Sequence, residues 1–363
     1  MNNREKFLSV IHNKADAHMP VVHFGYWNET ILKWIKEGHI KESDDLAYIS
    51  EKLGFDFEYS DCFSGKTELY PRFEKKVIKE FPDGSKHILN GEGVIELIKP
   101  GIVSIPMEIG HTLTNRDSWE KEYLPRLQFS EERYDFSGLI QYVESGNPIG
   151  LSAGSLYGYI RNWFGVAGLS YIAVDDEALY DEIIKTLGDL TYQIVKYGLE
   201  QSMAMGVSYD YLHFWEDICF KTGPLVNPSV FYEKVGPHYK KITDLGKEYG
   251  ICIFSLDCDG KIDLLLPTWL ENGVNTMFPI EVGTWSASIK PWREQYGDKV
   301  LGVGGMDKRV FALGRDEVDA EIERLKPLVA LGGYIPCPDH RIAPDAKWDM
   351  VRYYCDKMRK AFC

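Results

Sequence analysis

The stretch that decides the fold is residues 251–281, which read ICIFSLDCDGKIDLLLPTWLENGVNTMFPIE. It opens with a short apolar run that predicts a strand over residues 251–256. A segment of helical periodicity follows, and Gly273 stands where that helix should stop. A second apolar run predicts another strand over residues 275–280. Strand, helix and strand in this order are the unit of a parallel sheet.

The same order recurs along the whole chain, and it predicts eight strands that are each followed by a helix. The fold class is therefore predicted to be α/β, a single (β/α)8 TIM barrel that comprises residues 1–363. Gly297 and Gly332 stand at two further helix ends, as Gly273 does. The predicted strands are residues 18–24, 55–59, 148–152, 208–215, 251–256, 275–280, 300–305 and 333–337.

One segment interrupts the alternation. Residues 72–100 contain three short β-rich runs separated by Pro82-Asp83-Gly84 and by Gly91-Glu92-Gly93, which are turn-forming sequences. We expect an antiparallel β meander here, inserted after strand 2. Such an excursion can serve as a lid or as a subunit contact, the latter in a homodimer.

Composition excludes several classes of function. The net charge is -14, and no basic stripe is available to neutralise a phosphate backbone, so nucleic acid is not an expected partner. No stretch approaches the ~20 apolar residues of a membrane span, and residues 1–20 contain no apolar run of signal-peptide length. We therefore expect no membrane partner and a cytoplasmic location. The seven cysteines are odd in number and form no CxxC pair, so a disulfide framework is not expected.

The chemistry of such a barrel lies where strands pass into the following loops, and these strand ends are strongly acidic. Asp257 and Asp259 stand at alternate positions after the fifth strand, so both side chains point to the same side. They either bind a cation or cap the next helix. Glu281 ends an apolar run, where a carboxylate without a partner is costly. The candidate metal ligands are Asp257, Asp259, Glu281, His340 and Glu216.

Two histidines follow predicted strands. His340 lies in the constrained sequence Cys-Pro-Asp-His-Arg, which favours a ligand or an acid–base role over a purely structural one. His23 ends an apolar strand and is either a site residue or a hydrogen-bonded core residue. The candidate catalytic residues are His340, Glu216, Asp217, His23 and Tyr26.

Aromatic residues crowd the same strand ends, which suits a flat or apolar ligand. Motifs typical of dinucleotide binding, of P-loops and of serine hydrolases do not occur in the sequence. The candidate substrate-binding residues are Trp27, Tyr59, Tyr157, Arg161, Trp163, Trp215 and Arg341.

Four segments together resemble the uroporphyrinogen decarboxylase superfamily, and the likeness covers essentially the whole chain. The resemblance implies a (β/α) barrel, and it leaves two branches open: the tetrapyrrole decarboxylases and the corrinoid-dependent methyltransferases. The segments are FWEDICFKTGPLVNPSVF (214–231), DCDGKIDLLLPTWLENGVNTMFPIEVG (257–283), GVGGMDKRVFALGRDEVDAEI (302–322) and GGYIPCPDHRIAPD (332–345).

The decarboxylases carry an arginine-rich motif, RQAGR, after the first strand, because their substrate bears eight carboxylates. The matching residues 23–29 read HFGYWNE and contain no arginine. An acidic rim also repels a polyanion, and Arg161 and Arg341 alone are a poor match for eight carboxylates. Decarboxylation of a tetrapyrrole or another carboxylate is therefore the alternative to methyl transfer.

The methyltransferase branch has a zinc site made of His-x-Cys after the fifth strand and a later Cys after the eighth. In this sequence Asp257 stands in place of the histidine, Asp259 in place of the first cysteine, and His340 near the second. The resemblance thus implies Zn2+ with harder ligands, which leave the metal more Lewis-acidic. Such a metal suits an ether oxygen rather than a thiol.

The leading hypothesis is a methyltransferase that moves a methyl group from a small O-methylated donor to the cobalt of a corrinoid. The donor is either aromatic or aliphatic. A DxHxxG motif does not occur, so the resemblance places the corrinoid (cobalamin) on a partner corrinoid protein. A third hypothesis is a non-catalytic binding barrel, against which the dense acidic strand ends argue.

Overall fold

The computed structural model describes residues 1–14, 17–101 and 106–362. Strands and helices alternate over most of these residues, as the sequence predicts. The strands are β1 (Val22–His23), β2 (Phe57–Glu58), β3 (Lys76–Glu80), β4 (Lys86–Leu89), β5 (Val94–Ile98), β6 (Met107–His111), β7 (Gly150–Gly154), β8 (Tyr211–Trp215), β9 (Cys219–Phe220), β10 (Gly223–Pro224), β11 (Ile253–Asp257), β12 (Thr276–Phe278), β13 (Leu301–Met306) and β14 (Tyr334–Pro338).

The helices pack on the outside of the parallel strands, and short 3-10 or π turns lie between several of them. The α-helices are α1 (Asn3–Ile11), α2 (Asn28–Lys36), α3 (Leu46–Leu53), α4 (Arg116–Ser118), α5 (Leu139–Glu144), α6 (Gly158–Asp175), α7 (Glu177–Ala204), α8 (Pro228–Val230), α9 (Gly236–Glu248), α10 (Leu266–Glu271), α11 (Val282–Trp285), α12 (Ile289–Tyr296), α13 (Arg315–Val329) and α14 (Trp348–Phe362).

The architecture is mixed α/β and is built on a parallel six-stranded sheet. Its order is β14-β13-β12-β11-β8-β7, and β1 and β2 form a separate parallel pair. All eight predicted strands are confirmed as strands. β11 and β14 are buried along their full length, which is typical of parallel strands covered on both faces.

Single parallel bridges join the β1–β2 pair to both edges of the six-stranded sheet. Beyond β1, the amide of Ile342 donates to the carbonyl of Gly25 at 3.0 Å. Beyond β2, the amide of Phe63 donates to Gly150 O at 2.9 Å, and Ser152 N donates to Phe63 O at 2.8 Å. The carboxyl ends of all eight parallel strands therefore lie at one face.

The excursion after the second strand is an antiparallel sheet of order β3-β4-β5-β6. The meander predicted over residues 72–100 accounts for β3, β4 and β5. The turn between β4 and β5 is held by Asn90, whose Oδ1 accepts from Glu92 N at 2.9 Å and Val94 N at 3.0 Å. The fourth strand, β6, lies past residue 100 and was not predicted.

Glycine ends the helix after β11 as predicted. Gly273 follows α10 with φ +90°, a left-handed conformation that strains residues with a side chain. A Cβ at this position would also lie 2.4 Å from Oγ1 of Thr243.

Among the described residues, no helix combines the length and the apolar character that crossing a membrane requires.

Candidate functional site

A cavity of about 1230 Å3 opens at the carboxyl ends of the parallel strands. Trp27, which follows β1, and Trp215, which ends β8, form part of its wall. The cavity extends along β2 as far as Asn3 and Asn147. Its ionisable lining near the strand ends, within the described residues, consists of His23, Glu58, Asp61, Asp217, Asp257, Asp259, His340 and Arg341.

Three aspartates form a compact cluster in this cavity. One carboxylate oxygen each from Asp217, Asp257 and Asp259 lies within 4.8 Å of the others. Two of these residues, Asp257 and Asp259, were predicted as metal ligands. Asp217 was predicted as a catalytic residue, and the structure adds it to the same group.

Neighbouring strands bring the three residues together. Asp257 is the last residue of β11 and is in register with Trp215, the last residue of β8. Asp217 follows two residues later with φ +47°, in the left-handed region that aspartate tolerates better than most residues. The amide of Asp259 donates to Asp217 Oδ1 at 3.1 Å and ties the two strand ends together.

Asp257 is the unusual member of this cluster. Its side chain is 7% exposed, and no hydrogen bond among the described residues reaches its carboxylate. Burial, followed by the nearby Asp217 and Asp259, raises its pKa well above the ordinary value. A buried carboxylate without a donor and beside two other acids needs a proton or a cation.

The other two aspartates are partly exposed, and the protein compensates them only in part. Burial and the adjacent Asp259 raise the pKa of Asp217 to about 6. Oδ1 of Asp259 is buried and has no hydrogen-bond partner. The cluster therefore offers several oxygen atoms that the protein itself leaves unbound.

His340 lies beside the cluster in a defined tautomer. The amide of Arg341 donates to His340 Nδ1 at 2.8 Å, so Nδ1 is an acceptor. A neutral ring then carries its proton on Nε2, which is 3.2 Å from Oδ2 of Asp259. Trp27 stacks on the imidazole, with ring centroids 5.5 Å apart and an angle of 11° between planes. In this arrangement the imidazole acts as a hydrogen-bond donor and not as a metal ligand.

Glu281 borders the cluster, but the protein already binds both its oxygens. Gly260 N donates to Oε2 at 2.5 Å, and Thr284 Oγ1 donates to Oε1 at 2.7 Å. Burial and then the charge of Asp259 raise the pKa of Glu281. It is outside the described lining of the cavity and outside the aspartate cluster, so the structure gives no support to its predicted role as a metal ligand.

Glu216 has a structural environment that the sequence did not reveal. It is fully buried, and its two oxygens accept from the amides that begin α6, from Ser155 Oγ and from the hydroxyl of Tyr239. The helix N-terminus stabilises the negative charge. Glu216 was predicted as a catalytic group and as a metal ligand. In the structure its carboxylate instead binds the amides at the start of α6. The amide donors are Leu156, Tyr157 and Gly158, at 2.7–2.9 Å.

His23 and Tyr26 meet at one hydroxyl group. Nε2 of His23 and the hydroxyl of Tyr26 are each 3.0 Å from Ser50 Oγ, which itself donates to Leu46 O. Gly25 N donates to His23 Nδ1 at 2.9 Å. Both ring nitrogens of His23 are thus satisfied, and burial lowers its pKa to about 3. His23 touches the cavity as a neutral, fixed group, and Tyr26 lies outside it.

The predicted aromatic binding residues divide into two groups. Trp27 and Trp215 line the cavity and are partly exposed. Tyr59 is fully buried, and its hydroxyl donates to Ser255 Oγ at 2.9 Å. Tyr157 and Trp163 are buried among helices and line no part of the cavity, so neither of them nor Tyr59 belongs to the site.

The two predicted anion contacts also differ. Arg341 lines the cavity, with its guanidinium 5.7 Å from the ring centroid of Trp27. Arg161 lies 6.0 Å from the ring of Trp215 but is outside the described lining, and its buried Nε has no hydrogen-bond partner. Arg341 is therefore the arginine that a ligand in the cavity can reach.

Sequence reasoning missed two charged groups at the strand ends. Glu58 lines the cavity, and burial raises its pKa. The predicted strand over residues 55–59 encloses Glu58, whereas β2 ends at this residue. Lys308 follows β13, and the carboxylates of Asp339, Asp259 and Glu281 act on its ammonium, although burial lowers its pKa.

The fold and this site define an α/β chain with an acidic cavity at the carboxyl ends of its parallel strands. Among solved structures, a methyltransferase from Methanosarcina mazei shares the fold, with a TM-score of 0.61 and 13% identity over 100% of both chains. A protein described as a vitamin-B12 independent methionine synthase from Listeria monocytogenes is 13% identical over 62% of this chain and 70% of its own, with a TM-score of 0.36, which is too low to carry an argument. No family model and no curated protein sequence matches the chain.

Proposed function

We propose that this protein is a methyltransferase that moves a methyl group from a small O-methylated aromatic donor to the cobalt of a corrinoid on a partner protein. The observation that carries the proposal is the cluster of Asp217, Asp257 and Asp259 in a cavity walled by two tryptophans. The shared fold with a methyltransferase and the sequence resemblance to the uroporphyrinogen decarboxylase superfamily support it. We place the chain in the methyltransferase branch of that superfamily.

The proposal includes a closed barrel. The single bridges at Ile342 and Phe63 support closure, because they join the β1–β2 pair to both edges of the six-stranded sheet. Closure makes one ring of eight strands, with the aspartate cluster at its mouth. Catalytic groups lie at this face in enzymes with this architecture.

The residues present fit a divalent cation. Asp217, Asp257 and Asp259 supply three oxygen ligands, and the lack of a donor to Asp257 is what a metal would satisfy. Three protein ligands leave positions open for a substrate, as in catalytic zinc sites. We propose Zn2+, held by these three residues. When bound, the ion supplies a Lewis acid that stabilises negative charge on the oxygen that loses its methyl group.

Methyl transfer breaks one bond and forms another. The carbon–oxygen bond of the donor breaks, its electron pair stays on oxygen, and the methyl group joins the acceptor by means of two electrons from the reduced cobalt. The oxygen then takes one proton. That proton comes from solvent at the open strand ends, because the neutral His340, whose Nδ1 accepts from Arg341 N, donates a hydrogen bond from Nε2 beside Asp259 and keeps its proton.

The cavity, with its extension along β2 to Asn3 and Asn147, has room for a small aromatic donor. Sites for small ligands measure about 300–1,000 Å3, and this cavity measures about 1230 Å3. Trp27 and Trp215 offer flat surfaces to an aromatic ring. The opening at the strand ends admits an acceptor that is carried on another protein.

Decarboxylation remains the alternative and fits less well. A substrate with eight carboxylates needs several cations, and the described lining offers Arg341 beside five acidic side chains near the strand ends. A non-catalytic binding barrel does not require a buried aspartate without a donor beside two further aspartates.

The test is a spectroscopic screen of methylated donors. The zinc-loaded protein is mixed with cob(I)alamin and with methoxylated benzenes, methoxybenzoates or methanol, and conversion to methylcobalamin is followed by absorbance. We expect conversion with at least one aromatic donor, and no conversion with Asp257→Asn. Loss of carbon dioxide from uroporphyrinogen without metal, and no methyl transfer from any donor, would support the alternative.

A further inference from the structure

Arg341 sets the charge pattern of the cavity. It is the one lysine or arginine among the described residues that line it, and the remaining charged lining is acidic. An anionic group inside the cavity is repelled by Glu58, Asp61 and the aspartate cluster. A ligand with a negative charge therefore has a single favourable location.

The guanidinium of Arg341 has no partner within the described protein. No hydrogen bond and no ion pair joins it to another side chain, although Glu58 and Asp257 are close enough to feel its charge. Arginine presents a planar fork of donors that matches a carboxylate. These donors are free for a ligand.

Arg341 is exposed, and both its backbone and its guanidinium are linked to Trp27. The amide of Arg341 donates to His340 Nδ1, and the imidazole of His340 stacks on Trp27. The guanidinium in turn lies 5.7 Å from the ring centroid of Trp27. A flat ring at Trp27 and a carboxylate at Arg341 would thus be held by one connected group of residues.

We propose that Arg341 binds a carboxylate of the substrate, so that the methyl donor is a methoxylated aromatic carboxylic acid. The inference deepens the proposed function. It rests on that function in one respect, namely that the bound carboxylic acid is the methyl donor. The carboxylate lies at Arg341, and the methoxy oxygen lies towards Asp217, Asp257 and Asp259. Arg341 is in this sense a specificity-determining residue.

The test compares two ligands that differ in charge. Binding of 4-methoxybenzoate and of neutral 4-methoxybenzyl alcohol to the zinc-loaded protein is measured by calorimetry for the wild type and for Arg341→Gln. We expect the variant to bind the carboxylate about 10- to 100-fold more weakly, because a hydrogen-bonded charge pair is lost. The alcohol should change by less than about threefold, since it makes no charged pair. Arg341→Lys should retain part of the preference.

Arg352→Gln is the matched control, because Arg352 is an exposed arginine of α14 outside the cavity lining. It removes the same net charge and should leave both affinities unchanged. Equal weakening of the two ligands by Arg341→Gln, or no weakening, would overturn the inference.

The outcomes separate this inference from the proposed function. If neutral donors transfer their methyl group as well as carboxylates do, and Arg341→Gln has no effect, the inference fails and the methyltransferase stands. If carboxylates bind through Arg341 but no donor transfers a methyl group, the anion site stands and the methyltransferase fails.

Discussion

The amide of Asp259 donates a hydrogen bond of 3.1 Å to Oδ1 of Asp217, across the ends of two neighbouring parallel strands. This bond holds the side chain of Asp217 against the backbone of Asp259, beside a third aspartate, Asp257, that has no donor of its own. Like charges held this close raise one another's pKa and destabilise the metal-free protein. The arrangement is consistent with a cation as the missing partner.

Removal of Asp257 should abolish metal binding. We expect Asp257→Asn to lower the affinity for Zn2+ by at least about 100-fold, because even loss of an outer hydrogen-bond partner costs about 10- to 100-fold. Competition with a chromophoric chelator measures this affinity. Glu281→Gln is the control, since both oxygens of Glu281 already accept hydrogen bonds from the protein. A larger effect from Glu281→Gln than from Asp257→Asn would contradict the assignment of ligands.

The same substitution should stabilise the metal-free protein. Asp257→Asn replaces a buried carboxyl group whose ionisation is unfavourable, because it lies within 4.8 Å of two other carboxylates. We expect a rise of about 1–3 kcal/mol in the free energy of unfolding, the ordinary size of a mutational effect in a folded protein. Urea denaturation in the presence of a chelator measures it. A fall in stability would show that the cluster is balanced without a cation.

Metal binding should depend on pH through Asp217. Its pKa is raised to about 6, so this carboxylate stabilises the metal-free protein below about pH 4 and loses that contribution as the pH rises through 6. A cation binds the ionised form and competes with the proton. We expect Zn2+ to raise the melting temperature more at pH 7 than at pH 5. An equal rise at both pH values would exclude a titrating ligand.

The stability of the protein at acidic pH should report on His23. Burial lowers its pKa to about 3, so the neutral ring stabilises the fold above the unfolded value of about 6.5. As the pH falls from 6.5 towards 3 the contribution is lost, by at most about 1.4 kcal/mol per unit. His23→Gln should flatten this dependence in urea denaturation series, whereas His12→Gln on the exposed surface should not. Equal slopes of unfolding free energy against pH for the wild type, His23→Gln and His12→Gln would refute this role of His23.

Glu216 should matter for stability and not for metal binding. Glu216→Ala leaves at least three buried amides at the start of α6 without an acceptor. We expect the free energy of unfolding to fall by at least about 3 kcal/mol, because each such donor costs about 1–3 kcal/mol. The exposed Glu233→Ala is the control. Loss of zinc by folded Glu216→Ala, with unchanged stability, would restore its predicted role as a ligand.

The sequence predicted the order of elements well because that order depends on local patterns. The apolar runs before Asp257, Glu281 and Asp339 each mark a buried parallel strand, and Gly273 marks a helix end. The strand β6 was not predicted, because proline and glycine interrupt residues 97–106 and the predicted meander ended at residue 100, whereas β6 pairs with β5 beyond that point.

The site was predicted less completely. The sequence shows which residues follow a strand, but it does not show the direction in which their side chains point. Glu216 and Asp217 are adjacent in sequence, yet Glu216 points to α6 and Asp217 joins the cluster. Both residues lie after the end of β8, where the alternation of a strand no longer determines the side to which a side chain points. The positive φ of Asp217 and the hydrogen bonds of Glu281 depend on tertiary contacts that no local pattern shows.

The most direct test of the central claim is transfer of an isotopically labelled methyl group. A donor with a CD3–O group is incubated with cob(I)alamin and with zinc-loaded wild type, Asp257→Asn or Glu281→Gln, and the cobalamin is analysed by mass spectrometry. The account predicts CD3-labelled methylcobalamin from wild type and Glu281→Gln, and none from Asp257→Asn. Labelled product from Asp257→Asn at the wild-type rate, or none from the wild type with any methoxylated donor, would contradict it.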